Sequence, residues 1–253
     1  MRFFALLLVC LMTLPAWSKE VIRVGGYEFS PYVEIQNHKP RGLTIQLIER
    51  LNALQDRFEF RFELTSPRRR YEDFTAGRID VMFFESPEWG WTARNIKFDS
   101  TREFLTDSED FIALAAEGRD ERFFANLSGH TIAGIYGYHY AFAGFNDDPK
   151  FLEQEHRMSL VYSNFASIEL VLTGRVDMAI VTRSYLNRHL KANPKARAKL
   201  LVSKRVDQVY SLRALVRNGA KISSSDIEGL LTKLRQNGTL DTLWRAAGIG
   251  SSN

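Results

Sequence analysis

The sequence predicts an α/β protein of two similar lobes, each a mostly parallel sheet flanked by helices. Three observations predict it. From residue 21 onward β-rich and helical segments alternate, the order that a parallel sheet with crossover helices requires. The same order then runs a second time. A short motif also recurs at the same place in each run. Ala76-Gly77-Arg78-Ile79-Asp80 and Thr173-Gly174-Arg175-Val176-Asp177 each put a glycine at a helix end and an aspartate at the start of an apolar strand.

In chain order, residues 21–24 (VIRV) read as a strand ending at Gly25-Gly26. A loop over 27–31 follows. Residues 43–54 carry Leu43, Ile45, Leu47, Ile48, Leu51 and Leu54 at helical spacing. Residues 58–64 (FEFRFEL) alternate strictly, which predicts a strand with one buried face. A short helix over 70–76 ends at Gly77, and 79–84 is a buried strand. The second run has strands at 111–115, 131–135, 160–162 and 176–181. Its helices begin near Tyr140, at Ser167 and at Ser184, the last stopped before Pro194. A strand over 210–217 follows. Ser223 to Asp226 offers an N-cap for a helix through Leu234, and a last helix covers 239–247.

The start of the chain reads as a secretory signal. Arg2 is followed by an apolar run over 3–14, Pro15, and small residues at Ala16 and Ser18, which places a cut after Ser18. The run is too short to cross ~30 Å of hydrocarbon as a helix, which argues against an uncleaved anchor. Cys10 is the only cysteine and lies inside that run, so the mature chain has no disulfide and no thiol chemistry. The 34 basic residues face 30 acidic ones. The only basic cluster is Arg68-Arg69-Arg70, which does not make a nucleic-acid surface. The five histidines (38, 130, 139, 156 and 189) are scattered and show no metal-ligand spacing, and no cofactor motif is present.

The ordered set of motifs resembles the family 3 extracellular solute-binding proteins, the polar-amino-acid type of ABC-transporter receptor. The pieces are Ile22-Arg23-Val24-Gly25, Pro31-Tyr32, 41–47 (RGLTIQL), the two Gly-Arg-x-Asp pieces, and Gln236-Asn237-Gly238-Thr239. The resemblance implies a type 2 periplasmic-binding-protein fold. Residues 19–110 with 207–253 would form one lobe and 111–206 the other, with a two-strand hinge near Asp110 and Asp207. It implies a periplasmic, monomeric protein that binds a small polar molecule in an interdomain cleft and passes it to an inner-membrane ABC permease. A sensory partner of a membrane receptor is the alternative. An enzyme resembling cyclohexadienyl dehydratase is a further one, with Glu85 and His139 as its possible acid or base.

Three loops are expected to face the cleft, since ligands bind at the carboxyl ends of such strands. The first offers the rings of Phe29 and Tyr32. The second, 85–91 (ESPEWGW), offers Glu85 to a ligand cation, with Trp89 and Trp91 beside it. The third, 136–140 (YGYHY), offers Tyr138, His139 and the N–H groups of a following helix. Arg70 is the candidate to grip a carboxylate, although which of Arg68, Arg69 and Arg70 turns inward stays open. Two departures separate the chain from the family's amino-acid grip. Thr92 stands where the family has its carboxylate-clamping Arg, with Arg94 two residues late, and Thr182 stands where it has the ammonium-binding Asp.

Overall fold

A computed structural model describes residues 18–250. Most of the expected leader, including Cys10, lies outside the described residues. The first run of elements is β1 (Glu20–Gly26), a small hairpin of β2 (Glu34–Gln36) and β3 (Lys39–Arg41), α1 (Leu43–Leu54), β4 (Phe58–Leu64), α2 (Arg70–Thr75) and β5 (Val81–Glu85). Then come β6 (Phe98–Ser100) and the long β7 (Leu105–Leu114). The second run is β8 (Ile132–Ile135), α3 (Pro149–Glu155), β9 (Met158–Val161), α4 (Asn164–Leu172), β10 (Met178–Thr182), α5 (Arg183–Ala192) and α6 (Pro194–Lys199). The chain returns along β11 (Leu200–Arg217) and finishes with α7 (Ser224–Gln236) and α8 (Thr239–Ala246).

The strands join in the order β4-β1-β5-β11-β7-β10-β8-β9, with β6 on the side of β11. Each run supplies a parallel group: β4, β1 and β5 in the first, β10, β8 and β9 in the second. Antiparallel β7 and β11 link the two groups. Strand β11 pairs with β5 and β6 at its carboxyl end and with β7 along the rest, and its register against β7 shifts on both sides of Val206.

The local causes are those the sequence displays. Helix α1 buries Leu43, Leu47, Ile48 and Leu51, one stripe at helical spacing, against β4 and helices α7 and α8. Strands β5 and β10 are buried along their whole length, as central strands of covered parallel sheets must be. Helix α4 covers β8 and β10 through Ile168 and Val171.

The recurring motif has one job in both runs. The Asp80 N–H donates to the Arg23 carbonyl (2.8 Å) and its carboxylate accepts the Arg23 N–H (3.1 Å). The Asp177 N–H donates to the Thr131 carbonyl (3.1 Å) and its carboxylate accepts the Thr131 N–H (2.7 Å). Each aspartate thus ties the start of its own strand to the neighbouring backbone, at Arg23 midway along β1 and at Thr131 just before β8. Gly77 and Gly174 precede them with φ of 72° and 68°, the left-handed turn that ends a helix.

Several elements differ from the sequence expectations; the β2–β3 hairpin and β6 are additions to them. The helix expected near Tyr140 is only a 3-10 turn over Ala141–Ala143, and the α-helix begins at Pro149, where Asp148 caps it. Strand β7 begins at Leu105 rather than 111, and β11 at Leu200 rather than 210. Both extensions carry polar residues into the sheet, so they lack the apolar signature of the strands beside them. The expected stop before Pro194 holds for α5, but Pro194 then starts α6, as proline can at a first helical turn.

Candidate functional site

The carboxyl ends of β1 and β5, the turn after β8 and the crossing strands β7 and β11 meet around a small cavity lined by buried residues. Its lining comprises Tyr27, Phe29, Arg70, Trp89 and Glu109 from one side, Gly137, Tyr138 and His139 from another, and Gln208 and Tyr210 from β11. The free space is about 10 Å³, room for roughly one water molecule.

The walls are aromatic. Phe29 sits at the centre, its ring nearly perpendicular to Trp89 (5.5 Å, 81°), Tyr138 (5.6 Å, 89°) and Tyr210 (6.1 Å, 66°). Trp89 and Tyr210 also meet edge to face at 4.8 Å. Such crossed rings leave π faces on several sides of a small volume.

Arg70 resolves the question left by the arginine cluster. It is 1% exposed, whereas Arg68 and Arg69 face solvent. Helix α2 starts at Arg70, and its guanidinium lies over the rings of Tyr71 (4.3 Å) and Tyr27 (4.9 Å). It donates to the carbonyls of Pro67 and Trp89, and its Nε stands 3.4 Å from Glu85, an ionic contact without hydrogen-bond geometry. Burial works against this charge, but Glu85 and then Tyr27 and Tyr71 outweigh it and raise the Arg70 pKa.

Glu85 stands behind Arg70 rather than on the cavity wall. It is 1% exposed and accepts the Trp91 indole N–H at 2.7 Å. Burial raises its pKa while Arg70 opposes the rise. Phe84 just before it has φ of 57°, a left-handed conformation rare for a bulky residue, at the place where the β5–β11 register shifts. That kink sends the chain from the sheet into the tryptophan loop.

Tyr32 and Trp91 also lie behind the wall. The Tyr32 hydroxyl donates to Asp107 (2.7 Å), which the Ser184 hydroxyl reaches as well (2.6 Å). Trp91 packs on Tyr71 and Phe74. Of the eight residues expected at the site, Phe29, Arg70, Trp89, Tyr138 and His139 line the cavity, while Tyr32, Glu85 and Trp91 support it.

His139 is 4% exposed, and burial together with the Arg70 charge pushes its pKa down to about 3. Its Nε2 lies 3.3 Å from the Tyr71 hydroxyl, which donates to the Trp89 carbonyl. The backbone N–H groups of Ala141 and Phe142, the expected anion site, already donate to Asp207 at 2.7 and 2.9 Å. The anion at this turn is therefore a side chain of β11.

Five lining residues are not among those expected from the sequence: Tyr27, Glu109, Gly137, Gln208 and Tyr210. The signal for Glu109 was available. Residues 106–110 (TDSED) form a polar run held between Leu105 and Phe111, and all but Thr106 are buried. Glu109 is joined by the Gln208 amide (2.9 Å), which also donates to the His139 carbonyl and accepts from Trp89 Nε1 (2.9 Å). Burial, then the nearby Asp207, push the Glu109 pKa well above the usual carboxylate range, with Tyr210 and Gln208 opposing.

Polar contacts also span the two parallel groups around the cavity. Arg94 pairs with Asp147 at 2.8 Å, Arg188 pairs with Glu34, Arg68 donates to the Tyr136 hydroxyl (2.9 Å), and the Tyr138 hydroxyl donates to the Glu28 carbonyl (3.0 Å). At Gly90, with φ of 78°, a Cβ would meet the Tyr71 hydroxyl at 2.7 Å and His139 Nε2 at 2.8 Å. Among the described residues no cluster of side chains suits a metal ion, and no helix is long and apolar enough to cross a membrane.

No protein-family model and no curated protein matches the sequence. Solved structures do. A histidine kinase sensor domain with similarity to periplasmic binding proteins superposes with a TM-score of 0.68 at 20% identity, covering 92% of this chain and 97% of that one. An ancestral arginine-binding protein bound to arginine gives 0.66 at 17% identity, covering 90% and 98%. The ligand-binding core of GluR0 from Nostoc punctiforme, in complex with L-glutamate, gives 0.66 at 16% identity, covering 88% and 97%. At these identities the likeness is one of fold: the chain is similar to these binding proteins over nearly its whole described length, and its α/β architecture is that of the periplasmic binding proteins.

Proposed function

We propose that this protein is an exported, monomeric solute-binding protein that captures a small polar molecule in the cavity and closes on it. One lobe is residues 19–110 with 207–253, the other is 111–206, and β7 and β11 form the hinge. The observation that carries the reading is the cavity itself, small, ring-walled and lined by residues from both parallel groups and the crossing strands. The leader over residues 1–18 supports a periplasmic location, and delivery to an inner-membrane ABC permease follows from the family resemblance. Binding rather than catalysis is supported by His139, which burial keeps neutral, and by Arg70 and Glu85, which already face each other. A second reading, in which a membrane receptor senses the loaded protein, is favoured by the likeness to the kinase sensor domain.

The test is a thermal-shift screen of amino acids, polyamines, opines and small carboxylates. A binder at 100 times its Kd stabilises by ~2.7 kcal/mol, and the same compound should alter tryptophan fluorescence through Trp89. A panel without any stabilising compound would count against the reading. Turnover of a binder would favour an enzyme.

A further inference from the structure

The cavity holds an asymmetry of charge that points to a ligand class, on the reading that the cavity is the binding site. Its one lining cation, Arg70, already faces a carboxylate, Glu85, from behind the wall. Its one lining carboxyl, Glu109, faces no cation. Its partners are the neutral Gln208 amide and the Tyr210 phenol. The remaining carboxylates of the crossing strands are satisfied elsewhere: Asp107 by Tyr32 and Ser184, Asp110 by Arg183 (2.6 Å), and Asp207 by the N–H groups of Ala141 and Phe142.

The walls complete the picture. Phe29, Trp89, Tyr138 and Tyr210 cross at steep angles around the same volume. Ring faces attract a cation and offer nothing to a carboxylate. The backbone N–H groups that would have held a ligand anion are occupied by Asp207. The free volume of about 10 Å³ admits one group of water size. We infer that the cavity takes a small primary ammonium compound without a carboxylate, with Glu109 as its counter-charge and the four rings as its walls.

A proton must move when such a cation binds. Glu109 is buried with no cation beside it, which favours its protonated form in the absence of ligand. The groups facing it reinforce this. Asp107 on its own strand and Asp207 on β11 repel a second negative charge. The phenols of Tyr210, Tyr138 and Tyr140 stay protonated beside it. Arrival of an ammonium group ionises Glu109, and its proton leaves to solvent. Affinity therefore rises with pH, approaching tenfold per unit while free Glu109 is protonated and bound Glu109 is not.

The experiment is titration calorimetry of the protein with methylammonium, acetate and glycine, at pH 6 and pH 8, each in two buffers of different ionisation enthalpy. The expected result is binding of methylammonium, tighter at pH 8, with a buffer-dependent heat that reports proton release. Glu109→Gln should weaken it at least tenfold and abolish the proton release, and Glu109→Asp should restore part of both. The wild-type buffer dependence stands even if the Gln variant fails to fold. Preferential binding of glycine or acetate overturns the ammonium assignment, methylammonium binding without proton release at either pH overturns Glu109 as the group that ionises against it, and both leave the solute-binding reading standing. Absence of binding by every compound here and in the thermal-shift panel removes both.

Discussion

At the scale of single residues, the Arg70–Glu85 pair carries the largest predicted effect. Both groups are 1% exposed, so each depends on the other to remain charged. Breaking such a pair by removing one partner costs about 3–5 kcal/mol. Glu85→Leu, which strands the Arg70 guanidinium, should lower stability by that order in urea unfolding; a change within 0.5 kcal/mol, the scatter of surface substitutions, would show the pair to be idle. His139 gives an opposite kind of prediction. Burial and Arg70 hold its pKa near 3, so its imidazole should show no titration between pH 5 and 8 by nuclear magnetic resonance. Residue roles were only half legible in the sequence. The ring-rich loops announced themselves as sites, because they hold more aromatic rings than a mere connection needs. Whether a ring or a carboxylate stands on the wall or behind it depends on side-chain direction, as the exchange of Glu85 for Glu109 shows. One residue of register decides that, and composition does not report it.

At the scale of elements, the recurring Gly-Arg-x-Asp motif explains how a strand start is fixed to the neighbouring backbone. Asp80 also receives the guanidinium groups of Arg23 (2.8 Å) and Arg217 (2.7 Å). Burial works to raise its pKa, but those hydrogen bonds outweigh it and hold it below the usual value. A depressed carboxylate contributes stability above the unfolded pKa, about 3.9, that is lost as pH falls through the folded value. Asp80→Asn should therefore lower stability at neutral pH and narrow the gap to wild type below about pH 4. The gap measured by denaturant unfolding at pH 7 and pH 3 checks this. Helix α7 opens with a full capping box, Ser223 and Asp226 each accepting from the other's backbone. Ser223→Ala should cost ~1 kcal/mol, the usual worth of such a cap, in the same assay. The elements were the most legible level. Helix α1 and strand β4 coincide in their bounds with the sequence expectations, because their apolar residues follow one period; burial follows it in α1 and at Phe58 and Phe60, while Leu64 at the end of β4 is exposed. The crossing strands did not, because residues 106–110 and 203–208 trade apolar periodicity for hydrogen bonds and ion pairs. The turn after β8 has the apolar content of a helix start, but its Tyr140, Phe142 and Phe145 pack into the core from a single 3-10 turn.

At the scale of the whole molecule, the contacts around the cavity join the two parallel groups mainly through surface ion pairs and aromatic edges. Arg94 and Arg188 are more than one-third exposed, so each pair is worth about 0.2–1 kcal/mol. Removing Asp147 should shift an open-to-closed equilibrium by up to about fivefold, and high salt should act in the same direction. A larger radius of gyration for Asp147→Ala than for wild type, measured by solution scattering without ligand, would register that shift. The repeated order of elements made the two-group architecture readable, while the pairing of β7 with β11 along the middle of the sheet emerged only in three dimensions. If the two groups are lobes that close on a ligand, a distance across the cleft must shorten when the ligand binds. Leu64 at the end of β4 and Tyr162 just after β9 are 59% and 76% exposed, and Cys10 is the only cysteine. Spin labels on Leu64→Cys and Tyr162→Cys in a Cys10→Ser background should give a broad, longer distance distribution without ligand. A saturating compound from the thermal-shift panel should collapse it to a shorter, narrower one. A distribution unmoved by a compound that stabilises the protein would contradict the account.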